Sequence, residues 1–285
     1  MAIKISKPTS AGRRHSQVVD YSSLSKTKPY KPLLAEIRKT GGRNNTGRIT
    51  MRHQGGGVKR MYRVMEFGQG FLGKMDSRKA KVETVEYDPN RTAFISLVLL
   101  DNGRRLYILT SAGVKPGDVI EIAGKAELKL GNRMRLKNIP VGTQVHNIEL
   151  RPDQKGKLVR SAGSFATVMA HEGRYAILKM PSSEVRRVDV ESFASIGQVS
   201  NFERRLVSWG KAGRSRLRGI RPTVRAKAMN PRDHPYGGGE GKTTRGTKRP
   251  KDKWGNITGG RKTRNKKKYS KKLVLQRRVK PRKQK

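Results

Sequence analysis

The chain has 285 residues and carries 66 Lys and Arg against 21 Asp and Glu, a formal net charge of +45 that opposes compaction through self-repulsion and calls for a polyanionic partner. Nucleic acid is the leading class of partner and an anionic membrane surface the competing one. No apolar run reaches the roughly 18 residues of a membrane span, the opening MAIKISKPTS lacks the apolar stretch of a secretory signal, no basic amphipathic helix stands out, and the absence of Cys excludes disulfides, thiol catalysis and Cys-based zinc sites.

Taken in chain order, the charge falls into three blocks. Residues 1–60 hold 14 basic and 2 acidic side chains, residues 61–200 hold 22 and 15, and residues 201–285 hold 30 and 4. The middle block is therefore close to an ordinary globular composition, the two ends are polycations, and the C-terminal one has too few apolar residues for a core of its own. Residues 1–60 contain Pro8, Pro29 and Pro32 and no lasting periodicity; they read as an extended basic arm with one short apolar contact at Leu33, Leu34 and Ile37.

From residue 61 the pattern becomes that of short strands. Met61–Phe67 and Ala80–Tyr87 are the first two, with a turn at Asp88-Pro89-Asn90. TAFISLVLL at 92–100 is apolar, β-branched and aromatic enough for a buried strand. Asp101-Asn102-Gly103 then joins it to RRLYILT at 104–110 as a hairpin, and VIEIA follows the turn at Lys115–Asp118. Some five strands within residues 61–130 suit a small closed barrel. After the break at Ile139-Pro140-Val141-Gly142, VHNIEL, KLVRSAG, FATVMA, YAILKM and VRRVDV read as the strands of a second small barrel over residues 131–200, with His171-Glu172-Gly173-Arg174 as a hairpin loop. Residues 201–285 lose the pattern. GKAGRSRLRGIRPTVR and the polybasic end RKTRNKKKYSKKLVLQRRVKPRKQK, with one apolar island at Leu273–Leu275, read as a basic extension that orders on its partner. The chain is thus all-β, with two small barrels in tandem between long basic N- and C-terminal extensions.

The arms carry the binding chemistry. Arg offers a planar fork for bidentate phosphate contact, and Gly lets backbone N–H groups approach closely. Arg13, Arg14, Arg43, Arg48, Arg52, Lys59 and Arg60 sit in that setting at the front, with Asn44, Asn45 and His53 able to reach sugar or base edges; Arg214, Arg216, Arg218, Arg221 and Arg225 do so at the back. YGGGEGKTT at 236–244 comes near the phosphate-binding loop G-x-x-x-x-G-K-[ST]. However, Tyr236 stands where its first Gly belongs, and neither a buried strand before it nor a helix after it is indicated, so nucleotide hydrolysis is not expected. Asp233, His234 and Glu240 lie in the same Gly/Pro-rich stretch. With no nucleophile beside them and no metal-ligand spacing, they read as a loop shaped to RNA. His15, His146 and His171 read as structural or surface residues.

Several ordered strings carry a resemblance: KPTSAGRRH, GGRNNTGRITMRHQGGGVKRMYR, EYDPNR, LKNIPVGTQVHNIEL, RSAG and, most specifically, GKAGRSRLRGIRPTVRAKAMNPRDHPYGGGEGK. Together they resemble the universal second protein of the large ribosomal subunit (the L-two family) in its bacterial form, over nearly the whole chain. The resemblance implies an OB-type barrel followed by an SH3-like barrel, and extensions buried in large-subunit rRNA. It also implies roles in subunit assembly, in association with the small subunit and in shaping the region near the peptidyl-transferase centre, in cytoplasmic ribosomes. Lys227 and Asn230 join the rRNA-binding residues by that match, and Asp233, His234, Tyr236, Gly237, Gly238 and Gly239 fall on the loop nearest that centre. Catalysis belongs to rRNA in this family, so His234 is expected to position rather than react. The implied partners are large-subunit rRNA, neighbouring ribosomal proteins and the small subunit, with no membrane and no homo-oligomer. No enzyme activity, metal site or cofactor is expected, save structural Mg2+ shared with rRNA. Tyr236 stands where many bacterial members have His, which weakens any proton relay, and GQGFLGKMDS and TTRGTKRPKDK depart from the commoner versions.

Overall fold

A computed structural model describes residues 3–68, 77–241, 243–260, 263–265 and 267–278. Residues 69–76 of the divergent GQGFLGKMDS stretch, and Lys242 of the glycine-rich motif, lie outside the described residues. Two compact units emerge. The first comprises residues 1–38, 59–214 and 272–285, and the second residues 39–58 and 215–271.

In the first unit, β1 (Ile3–Ile5) pairs antiparallel with β2 (Gln17–Val19) around the short helix α1 (Ala11–Arg14). β3 (Leu34–Ala35) pairs with β4 (Tyr62–Arg63). The main sheet then begins with β5 (Ser77–Glu86), β6 (Ile95–Leu100), β7 (Arg105–Leu109) and β8 (Val119–Ala123). It continues with β9 (Arg133–Arg135), β10 (Gln144–His146), β11 (Ala166–Glu172), β12 (Tyr175–Lys179), β13 (Val185–Asp189) and β14 (Phe193–Ile196), and ends with β15 (Val274–Gln276). These last eleven strands form one sheet, joined between β8 and β9 by a parallel pairing of Ile122 with Arg133.

β6 is apolar except for Ser96, whose buried hydroxyl bonds to that of Thr110, because both of its faces are covered. Val98 and Leu100 enter one core with Val82, Val85, Phe94, Ile120 and Ile122; Ile95 and Leu97 enter another with Met65, Tyr107, Leu109 and Val199. The β6–β7 hairpin turns at Asn102-Gly103, with Gly103 at φ +76°, the conformation that glycine adopts without a Cβ clash. A third core lies under β9 to β14 and includes Met134, Leu136, Ile148, Val168, Leu178 and Val188. The β11–β12 hairpin closes at Gly173-Arg174 as the sequence implied. Six strands went unread in the sequence: β1, β2, β3, β9, β14 and β15. Three expected ones shrink: Met61–Phe67 contributes only β4 and a bridge from Met65 to Tyr107, VHNIEL only Val145 and His146 of β10 and a bridge from Ile148, and KLVRSAG the partner of that bridge, Leu158.

The front of the chain is more than an arm. Val19 and Leu24 are buried in the first core, Tyr21 packs its ring 5.2 Å from Tyr87, and Leu33 packs beside Tyr30 against the second core. The apolar island Leu273–Leu275 likewise has a fixed place: β15 extends the sheet at β13, with the Arg187 amide donating to the Leu273 carbonyl at 2.7 Å. Residues 1–38 and 272–278 thus go with the sheet, so the physical division of the chain differs from a cut at residues 60 and 201.

The second unit is built differently. Residues 53–58 run against residues 217–221: the Gly55 amide donates to the Gly219 carbonyl, Val58 to Leu217, and Arg221 to His53. Among the described residues of this unit no hydrophobic side chain is fully buried. Its order rests on backbone hydrogen bonds and tight turns.

Two buried polar contacts pin the sheet. Arg133 on β9 donates through Nη2 to Glu149 Oε1 at 2.9 Å and through Nη1 to the Asn147 carbonyl at 2.7 Å, and Glu149 Oε2 accepts the Phe193 amide of β14. The pair is 3% and 0% exposed. Burial lowers the Arg133 pKa while Glu149 opposes that shift. Glu149→Ala leaves the guanidinium buried and uncompensated, and is expected to cost about 3–5 kcal/mol in denaturant unfolding of the β unit. His146 on β10 donates from Nδ1 to the Gly197 carbonyl at 2.9 Å and lies 3.3 Å from the Ser111 hydroxyl through Nε2. Burial, with Arg133 nearby, lowers its pKa to about 4 against the Gly197 hydrogen bond. The unfolded ring therefore binds a proton that the folded ring refuses between pH about 6.5 and about 4, so stability is complete above that window and falls as pH drops through it. The denaturation midpoints of His146→Gln and the parent chain should converge as pH falls across this window, with the full effect worth about 3 kcal/mol.

Candidate nucleic-acid interface

The structure divides the candidate binding residues between the units. Arg13 and Arg14 sit exposed on α1 of the first unit, and Lys59 and Arg60 are exposed there as well, with Arg60 Nη1 donating to the Pro89 carbonyl at 3.1 Å. Arg214 is different. Its Nη1 donates to Ser16 Oγ and to the Trp209 carbonyl, so it ties the start of the chain to the segment after the second core.

The second unit holds the remaining residues, and it uses several of them internally. Asn44 Oδ1 accepts from the Thr46 amide, the Thr46 hydroxyl and the Arg48 amide, which makes it the organiser of the 44–48 turn. That leaves its Nδ2 group, but not its carbonyl, for a partner. Asn45, Arg43 and Arg48 project from this turn exposed. His53 adopts φ +62° and donates from Nδ1 to the Pro222 carbonyl at 3.0 Å, so its Nε2 is the ring's acceptor. Arg216, Arg218, Arg221 and Arg225 are exposed on the paired strand of chain and its continuation. Lys227 donates from Nζ to the Thr243 carbonyl at 2.7 Å, holding the glycine-rich stretch to the segment before it.

The loop from Met229 to Gly239 is closed by its backbone. The Asn230 carbonyl accepts the Asp233 and His234 amides, the His234 carbonyl accepts the Gly237 amide, and the Met229 carbonyl accepts the Gly238 amide. A Cβ on Gly237 would lie 2.2 Å from the Asn230 oxygen, and Gly238, at φ +75°, passes 2.6 Å from Pro231 by the same measure. Glycine is what the loop's closure requires at both positions. His234 is 8% exposed, and its ring lies 4.8 Å from that of Tyr236. Its Nδ1 accepts the Tyr236 amide at 3.1 Å, while the exposed Asp233 carboxylate lies 4.0 Å from Arg232 Nε. Asp233 is therefore not seen orienting His234 as in a general-base pair. The Tyr236 hydroxyl accepts the Lys251 amide, a structural bond that ties the loop to residues 251–257. Thr243 turns its hydroxyl toward the Gly238 carbonyl at 3.4 Å, inward rather than toward a phosphate site.

A further cluster was not legible in the charge count. In the first unit Phe67 lies under Arg160 at 4.4 Å and Arg91 at 5.5 Å, and Tyr62 lies 5.9 Å from Arg91. These residues, with Lys157 and Arg186, line an open groove of about 880 Å³. Arg91 is set by the turn EYDPNR: buried Asp88 accepts the Asn90 amide through Oδ1 and Arg91 Nε through Oδ2. Such aromatic–arginine surfaces take nucleobases and phosphates together. Among the described residues no group of His, Asp and Glu is arranged to hold a metal ion, and no helix is long and apolar enough to cross a membrane.

Two family models match the chain. Residues 30–122 match "Ribosomal Proteins L2, RNA binding N-terminal domain", and residues 129–255 match "Ribosomal Proteins L2, C-terminal domain". The first covers β3 to β8, and the second runs from β9 through the glycine-rich loop.

The loop geometry gives a direct test. Gly237→Ala must open the 229–238 closure, a distortion of order 1–3 kcal/mol. It should lower rRNA affinity by about tenfold or more, measured by filter binding, while leaving the thermal midpoint of the β unit unchanged.

Proposed function

The chain belongs to the ribosomal L2 family, and from that premise we propose that it binds rRNA in two modes: a β platform folded in advance, and a second unit that takes its order from the RNA. Members of this family are structural proteins of the large ribosomal subunit that bind its rRNA, with an OB-type fold followed by an SH3-like fold. The observation that carries the two-mode reading is the makeup of the second unit. Residues 39–58 and 215–271 hold 23 Lys and Arg against 3 Asp and Glu, and no fully buried hydrophobic side chain is found among their described residues. A segment of net charge +20 without an apolar core has little to hold it against self-repulsion until phosphates neutralise it.

On this reading the exposed cations Arg13, Arg14, Arg43, Arg48, Arg52, Lys59, Arg60, Arg216, Arg218, Arg221 and Arg225 meet phosphates. Asn45, Asn230 and the free nitrogen of His53 meet sugars or bases. Asn44, Arg214 and Lys227 act mainly by shaping the protein, as their internal hydrogen bonds indicate. The groove of Phe67, Arg91 and Arg160 adds a site on the platform. The loop of Asp233, His234, Tyr236, Gly237, Gly238 and Gly239 shapes RNA near the peptidyl-transferase centre, and the protein supports subunit assembly and association beside neighbouring ribosomal proteins in cytoplasmic ribosomes. It needs no membrane, no second copy of itself and no cofactor beyond Mg2+ shared with rRNA. It performs no chemistry of its own: His234 Nδ1 is engaged by the loop's own amide and the Thr243 hydroxyl points inward, so both serve the loop's shape.

Binding to purified large-subunit rRNA should weaken steeply with salt. With about ten phosphates neutralised, the slope of log affinity against log salt is expected near −7 to −9. Arg160→Ala should make that slope shallower by about 1 if the groove holds one phosphate. A flat salt dependence would contradict electrostatic binding altogether.

A further inference from the structure

Among the described residues Trp254 is the most exposed of the large apolar side chains, at 70%. Single exposed apolar residues are common, but a tryptophan presents more apolar surface than any other residue, and this one is held in place rather than hanging free. It sits on a small loop closed by a bridge between Lys251 and Ile257. Asp252 organises that loop: its Oδ1 accepts the Trp254 amide at 3.0 Å and the Asn256 amide at 2.8 Å, and its own amide donates to the Asn256 carbonyl. The carboxylate nearest the indole in sequence is thus turned into the loop. Two cations lie over the ring, which is otherwise largely exposed. Lys253 Nζ lies 4.6 Å from the ring centroid and Arg52 Cζ 5.8 Å from it.

We infer that Trp254 is a stacking platform for one unpaired nucleobase of rRNA, with Arg52 and Lys253 taking the flanking phosphates. This rests on the rRNA-binding reading above and names the chemistry of one contact within it. The charge around the indole selects a polyanion over an apolar protein surface, because docking an apolar partner there would desolvate two cations with no counter-charge. An indole has a π-face for any base, so the contact tolerates sequence, and it needs a base free of a duplex, as in a loop or bulge of folded RNA. The tether to Tyr236 through the Lys251 amide places the indole on the same backbone framework as the His234 loop, so the stacked base would fix that loop's register on the RNA.

The test uses the full chain and purified large-subunit rRNA, with base-specific chemical probing and filter binding of Trp254→Ala and Trp254→Phe. The parent chain should shield one or two unpaired bases that Trp254→Ala leaves reactive and Trp254→Phe still shields. Trp254→Ala should bind about five- to hundredfold more weakly with an unchanged salt slope. Because the side chain is exposed, circular dichroism of both variants should match the parent. Identical base reactivities and affinities for all three proteins would overturn the inference while leaving rRNA binding intact. If the parent itself gives no footprint and no salt-dependent binding, the broader reading fails instead.

Discussion

Positive charge that the chain cannot neutralise internally governs how the rest is arranged. With 66 basic and 21 acidic side chains, cations outnumber acids by 45. The molecule meets this constraint by segregation. All strands of the main sheet except β15 lie in residues 61–200, where 22 bases meet 15 acids, and two of its buried carboxylates are placed against particular cations: Glu149 against Arg133, Asp88 against Arg91 and Arg63. The charge is densest where no apolar core has to withstand it: residues 39–58 and 215–271 carry +20 over 77 residues, against +25 over the other 208.

The two units consequently follow different physics. The first is an ordinary β structure, whose sheet is joined by the β8–β9 pairing and braced by a buried guanidinium on β9 that bonds to groups from the turn after β10 and to Ser195 of β14. Removing one partner there costs far more than the pair itself contributes. The second is a set of backbone-closed turns with interior space only for glycine, as at Gly237, and with side chains that serve as braces (Asn44, Lys227, Asp252) or as exposed cations and one indole. On the two-mode reading proposed above, an RNA partner supplies for this unit what the apolar cores supply for the first, and the hydrogen-bonded turns limit how many shapes the RNA has to select among.

The sequence made some of this plain and hid the rest for identifiable reasons. Hairpins with Asn-Gly or Gly-Arg tips and the β-branched run at 95–100 were legible because their signals are local. β9 and β14 were not, since RMR and FASI are too short for a period to show, and their pairing is set by a buried Arg–Glu contact between residues 133 and 149. Val19 and Leu24 looked like isolated residues in a polar arm; only the tertiary structure supplies the core they enter. The cations of the arms were readable as a class, but which of them face outward was not. Arg214 and Asn44 turned out to hold the protein together, and Phe67, Arg91 and Arg160 form a groove from positions up to 93 residues apart in a stretch whose net charge drew no attention. Trp254 carried no motif; its exposure and the two cations around it exist only in the folded chain.

Amide hydrogen exchange, compared between the free protein and the protein in assembled large subunits, bears most directly on the idea that the second unit takes its order from RNA. The amides of β5 to β14 should be protected in both states, whereas those of residues 39–58 and 215–271, including the Gly55 and Val58 amides that bond to Gly219 and Leu217, should exchange freely in the isolated chain and become protected in the subunit. Equal, strong protection of both units in the free protein would contradict it.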